Sequence, residues 1–138
     1  MVKRGSYCLG IRVIENIKIR IGALGEISFP KGDYVYVGSA LNSLDTRIQR
    51  HKRTNQGKGN VIHWHIDYLL SHPKARLKSV YAIESSDRVE CKIAQTLTNF
   101  SIPIMKFGCS DCRCKSHLFM IEDWKILEKM GLKKRDLK

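Results

Sequence analysis

The sequence predicts an α+β domain: an antiparallel sheet with helices packed on it, enlarged by an extra hairpin. Three observations carry that expectation. Apolar residues alternate with period two over the first third of the chain, as half-buried strands require. Two later stretches repeat apolar residues at three and four, the helical spacing. No internal repeat, low-complexity tract or Pro/Gly-rich linker divides the 138 residues, so one domain is expected over 1–138, with a core at 5–98 and a C-terminal extension at 99–138.

The elements follow in order. Tyr7, Leu9, Ile11 and Val13 alternate with Cys8, Gly10 and Arg12, which predicts a strand running to Glu15. Ile17 to Ile21 alternates again, and Glu15-Asn16 suits a tight hairpin between the two. Gly22 and Gly25 bracket a turn, Glu26–Phe29 extends the sheet, and Pro30–Asp33 turns once more. Tyr34–Val37 is the clearest strand, stopped by Gly38-Ser39. Asn42 or Ser43 then caps a helix with Leu44 and Ile48 on one face and Arg47, Arg50, His51 and Thr54 on another. After a loop from Thr54 to Asn60, His63–Leu70 reads as a short amphipathic helix ended near Pro73. Ser79–Glu84 is a strand. Asp87 caps a helix bearing Glu90, Ile93, Ala94 and Leu97 at i, i+3, i+4 and i+7. A loop from Phe107 to Ser116 leads to a strand at Leu118–Ile121, and Glu122–Met130 forms a closing helix with Gly131 as its C-cap.

Composition narrows the function classes. Apolar residues make up 43% of the chain, which argues against disorder. No apolar run reaches the roughly 20 residues of a membrane span, and charged residues interrupt the stretch after the basic N-terminus, so neither a spanning helix nor a secretory signal is expected. Twenty-five Lys+Arg against thirteen Asp+Glu give a net charge of +12. Such a field attracts polyanions, nucleic acid ahead of an acidic membrane. Five cysteines, an odd number without a signal, read as cytoplasmic thiols or metal ligands rather than a disulfide framework.

Gly5-Ser6-Tyr7 opens the first strand and Tyr36-Val37-Gly38 ends a later one. In that order, with strand, strand, helix, helix, strand, helix over residues 5–98, they resemble the two signatures of the GIY-YIG nuclease superfamily. The segments Gly32–Leu41, His63–Tyr68 and Phe107–Cys114 resemble one small stand-alone branch of unassigned function, sometimes joined to a helix-hairpin-helix DNA glycosylase domain. The signatures lie further apart than in most members, and the surplus, Glu15 to Pro30, is the added hairpin. An asparagine used by many members has no counterpart in matching context; Asn99, Ser110 and Asp111 are the nearest candidates.

The resemblance implies a metal-dependent endonuclease acting on DNA, in repair or processing. It implies Tyr7 as the base that deprotonates the attacking water, although a phenol titrating near 10 needs a cationic or metal-bound neighbourhood to do so. Tyr36 would orient phosphate or water through its hydroxyl, with Tyr34 on the same face as a rival for that register. Arg47 matches the arginine set against the scissile phosphate, where a guanidinium forks onto its oxygens. His51, one helical turn on, would donate to phosphate or assist proton transfer. Glu90 matches the metal-binding glutamate and would hold one Mg²⁺ or Mn²⁺. Its competing reading is the third residue of a capping box opened by Asp87. Arg50, Lys52, Arg53, Lys58 and His63 would follow the nucleic-acid backbone, more plausibly DNA than RNA.

Cys109-x-x-Cys112-x-Cys114-x-x-His117 could supply four zinc ligands. A span this short wraps one ion poorly, so reduced cysteines in a tight loop are preferred, with zinc the lesser alternative. His63, His65 and Asp67 do not share one helical face, which favours helix capping and DNA contact over a three-ligand site. Two other functions fit: a nucleic-acid-binding module without catalysis, and a zinc-stabilised interaction protein.

Overall fold

The computed structural model describes residues 3–40, 42–58, 62–85, 89–108 and 114–135. In chain order the elements are β1 (Gly5–Val13), β2 (Ile17–Arg20), a 3-10 turn (Gly22–Leu24), β3 (Glu26–Phe29), β4 (Gly32–Ala40), α1 (Leu44–Asn55), α2 (His65–Leu70), β5 (Ala75–Glu84), α3 (Glu90–Thr98), β6 (Ile102–Pro103), β7 (Leu118–Ile121), α4 (Ile126–Lys129) and β8 (Lys133–Arg135). Six strands form one antiparallel sheet in the order β6-β7-β4-β1-β5-β8, and β2 and β3 form a separate two-stranded sheet. The protein is therefore α+β, with the extra hairpin.

Period-two alternation builds two cores, because successive side chains of a strand point to opposite faces. Tyr7, Leu9, Ile11 and Val13 of β1, with Tyr34 and Tyr36 of β4, face Leu44 and Ile48 of α1 and Ile66, Leu69 and Leu70 of α2. Cys8, Val35 and Val37 point the other way and meet Ile93, Ala94 and Leu97 of α3, together with Phe119, Leu127 and Leu132. Strand segments covered on both faces are apolar at successive positions, as Tyr7–Leu9 of β1 and Tyr34–Val37 of β4 are.

Local chemistry sets the helix ends. Ser43 Oγ accepts from the Thr46 amide at 3.2 Å, the cap expected for α1, worth about 1 kcal/mol. At its other end Asn55 Nδ2 donates to the carbonyls of Leu70 and Ala75, while its Oδ1 accepts from the Leu77 amide. One side chain thus ties α1 to the end of α2 and the start of β5. Asp87 lies outside the described residues. α3 begins at Glu90 itself with Val89 in the cap position, so Glu90 is the first helical residue and not the third of a capping box.

Several sequence expectations need correction. β1 and β2 do not pair as a hairpin, since both edges of β1 are already taken by β4 and β5. β2 pairs instead with β3, and Ile17, Ile19 and Ile27 of that ribbon rest on the first core. β4 is not stopped at Gly38-Ser39 but runs to Ala40, held by its ladder to β1. The closing helix shrinks to Ile126–Lys129. The chain before it is pinned by Trp124 Nε1 donating to the Tyr34 carbonyl, and the chain after it joins the sheet as β8. The stretch from residue 99 onward supplies β6, β7 and β8 to the main sheet, so it is integral to the fold. Among the described residues no helix is long and apolar enough to cross a membrane.

Candidate functional site

Tyr7 and Gly38 face each other across β1 and β4. A Cβ on Gly38 would sit 2.5 Å from Cζ and Oη of Tyr7, so the glycine is required because the phenol lies across its backbone. The role of Gly38 is to seat this ring, not to turn the chain. Tyr7 Oη and His51 Nε2, from α1, are 2.7 Å apart in the interior. The His51 ring also meets Tyr36 edge-on and lies against Trp64. Tyr34 and Tyr36 differ in their surroundings. Tyr34 Oη donates to the Pro30 carbonyl at 2.6 Å and is structural, whereas Tyr36 stands beside His51.

Arg47 is half-buried on the same helix as His51. Its Nη1 donates to the Ser39 carbonyl at 3.0 Å, and its guanidinium lies 4.5 Å from the centre of the Trp64 ring. Glu90 arrives from the opposite face of the sheet, at the first turn of α3, with a side chain 20% exposed and 4.0 Å from His117 Nδ1.

The electrostatics of these groups are coupled. Burial raises the pKa of Tyr7, Arg47 works against it by charge and hydrogen bonding, and Glu90 and Asp67 add to the rise. Tyr36 is likewise raised well above its ordinary value, by burial first and then by Tyr7, Glu90 and Asp67. Burial drives His51 down to about 3, with Asp67 opposing and Arg50 and Arg47 reinforcing. At neutral pH the pocket therefore holds two protonated phenols and a neutral imidazole. The cationic neighbour that a phenolate base needs is present in Arg47, but burial outweighs it. Tyr7 is consequently not a preformed base. His51 Nδ1 is buried without a hydrogen-bond partner among the described residues.

The proposed nucleic-acid face is narrower than the sequence suggests. Arg50 is occupied: its Nη1 and Nη2 donate to the two Asp67 oxygens at 2.9 and 3.0 Å, and its guanidinium lies 4.3 Å from the Trp64 ring centre. Asp67 is fully buried and also accepts the amides of His63 and Trp64. Burial alone would raise its pKa, but those hydrogen bonds and Arg50's charge outweigh it and the net shift is downward. Lys52 is only 9% exposed and does not belong to an exposed basic face. Arg53, Lys58 and His63 are exposed, and the His63 ring rests edge-on against Trp64. Asp67 accordingly caps α2, and His65 Nδ1 accepts from the Gly108 amide, so the three residues serve capping and loop docking.

Sequence reasoning missed one member of a second cluster. Cys91 follows Glu90 on α3 and meets Cys114 and His117, the ligand atoms of all three lying within 4.8 Å of one another. Nothing in the spacing links Cys91 to the later thiols; only the packing of α3 beside the chain that enters β7 does. Cys109 and Cys112 lie outside the described residues. Two residues that support the site were also passed over as functional: Trp64, beneath two guanidiniums, and Asp67, which holds Arg50. The basic-aromatic pairing of Arg47, Arg50 and Trp64 was the available signal for the first.

No curated protein and no solved structure matches the chain. A family model described as a domain of unknown function, DUF123, matches residues 6–137, almost the full length, and the protein belongs to that family.

Proposed function

We propose that the protein is a GIY-YIG-type, metal-dependent endonuclease that hydrolyses phosphodiester bonds in DNA. The observation that carries this reading is the phenol–imidazole contact of 2.7 Å between Tyr7 and His51, with Tyr36 beside His51 and Arg47 on the same helix; Glu90, on the other face of the sheet, acts on both phenols through its charge. Arg47 uses two anchors, Ser39 and Trp64, and a guanidinium carries five N–H donors, so it retains donors for a phosphate. Its fixed charge stabilises negative charge developing on the phosphoryl oxygens.

The proton path follows from the pKa pattern. Tyr7 accepts a proton from the attacking water as its own passes to His51 Nε2, so the buried phenolate never has to accumulate. This relay uses the tautomer with the proton on Nδ1. Burial disfavours the imidazolium that results, and Asp67 offsets part of that cost. Tyr36 orients the phosphate or water. A hard cation fits Glu90, whose partly exposed carboxylate offers oxygen while water completes the shell. When bound, Mg²⁺ or Mn²⁺ neutralises charge on the leaving oxygen.

A second reading, a nucleic-acid-binding module without turnover, is favoured by one observation: Tyr7 is only 2% exposed. Cleavage assays on duplex, flap and junction DNA with Mg²⁺ or Mn²⁺ separate the two. The hydrolase reading expects cleavage by wild type and a loss of about 10²–10³-fold in Arg47→Ala and Glu90→Ala. Equal cleavage by all three proteins would assign the activity to a contaminant. DNA binding that survives Glu90→Ala, with no turnover under either metal, would select the binding module.

A further inference from the structure

We infer that Cys91, Cys114 and His117 form a zinc site that fastens the start of α3 to the chain entering β7. Two half-buried thiols and a buried imidazole, with ligand atoms within 4.8 Å of one another, come from two parts of the chain 23 residues apart. A tetrahedral zinc with bonds of about 2.0–2.3 Å holds its ligands about 3.5–3.8 Å apart. The cluster therefore needs to contract by only about 1 Å around the ion. This removes the objection to a site built within one short loop, since the ligands now come from two separate elements.

The donor chemistry selects the metal. Thiolate and imidazole together favour zinc over Mg²⁺ or Ca²⁺, which take oxygen ligands. The imidazole is also oriented for ligation. His117 Nδ1 lies 3.1 Å from the Val37 carbonyl, which can only accept, so Nδ1 carries the proton and Nε2 the lone pair. A ligating histidine whose second nitrogen donates to a backbone carbonyl is the usual outer-sphere arrangement at zinc. The histidine backbone is fixed as well, its amide donating to Phe107 and its carbonyl accepting from Val37. Water can complete the tetrahedron.

The site has a structural consequence beside the phenol–imidazole pocket. Cys91 adjoins Glu90, and Glu90 already lies 4.0 Å from His117 Nδ1. Zinc would lock the first turn of α3, and the Glu90 carboxylate with it, against β4. The metal assignment itself is independent of the hydrolytic reading.

The test is metal analysis of the full chain purified without chelator. One zinc per chain is expected in wild type and in Cys8→Ser, whose thiol is fully buried and is not among the three clustered ligands. Cys91→Ser should bind zinc at least about 100-fold more weakly. In case that variant fails to fold, the wild-type protein is stripped and loaded with Co²⁺, which should give thiolate charge-transfer absorption and the intense visible bands of a tetrahedral site. Absence of both zinc and the cobalt spectrum in wild type overturns the proposal. So does stoichiometric iron in place of zinc, or a folded Cys91→Ser that keeps wild-type zinc affinity.

Discussion

His51 is buried, uncharged and joined to Tyr7, and its pKa gives the pocket a signature that can be read without substrate. Its value is about 3 in the folded protein against an ordinary 6.5. Between those values the unfolded chain takes up a proton that the folded chain refuses. The associated stability is complete above pH 6.5 and is lost as pH falls toward about 3, by about 1.4 kcal/mol per pH unit. His65, also lowered by burial, adds in the same direction. Urea unfolding from pH 7 to 4 should show this decline in wild type and a shallower one in His51→Gln. Equal slopes would mean that His51 titrates normally and the relay lacks its neutral acceptor. Gly38 makes a related point at the same scale. The tripeptide containing it is visible in the sequence, but the reason for the glycine, a phenol ring lying on it from the neighbouring strand, requires the β1–β4 register.

At the scale of elements, α1 and α2 are joined through charge as much as through apolar contact. The Arg50–Asp67 pair has one fully buried partner, and the carboxylate also holds the N-terminus of α2. Removing the guanidinium strands a buried charge, so Arg50→Ala should cost on the order of 3 kcal/mol. Arg53→Ala, on the exposed side of the same helix, should cost less than about 0.5 kcal/mol. Chemical denaturation of both variants checks the contrast, and similar losses would show that the pair contributes no more than a surface charge. The same contrast is one that helical periodicity does not reveal for Arg50. A helical wheel reports which residues share a face, but not which neighbouring element covers that face.

For the molecule as a whole, the +12 charge predicts binding to polyanions, and burial decides which charges take part. Each phosphate contact contributes about −0.9 to the slope of log K against log salt on duplex DNA. Fluorescence anisotropy across a salt series should show Arg53→Ala and Lys58→Ala each flattening that slope by about 1. Lys52→Ala should leave it unchanged, because that side chain is 9% exposed. A flattening by Lys52→Ala, or none by the other two, would move the interface elsewhere on the surface.

The α+β class, most of the strands and a helix cap at Asn42 or Ser43 were legible in the sequence, and its resemblance to a known family supplied Tyr7, Tyr36, Arg47, His51 and Glu90 as candidates. The class, strands and cap depend on local periodicity and capping chemistry, and the resemblance on short motifs, whose information in each case lies within a few residues of chain. Tertiary structure decided the rest. Pairing partners fixed β2 with β3 and brought the last strands into the main sheet. The ion pair with Asp67 occupied Arg50, while burial withdrew Lys52, raised both phenols and neutralised His51. Packing of α3 beside β7 brought Cys91 to Cys114 and His117. These are contacts between distant segments, set by which faces and edges the sheet had left to cover.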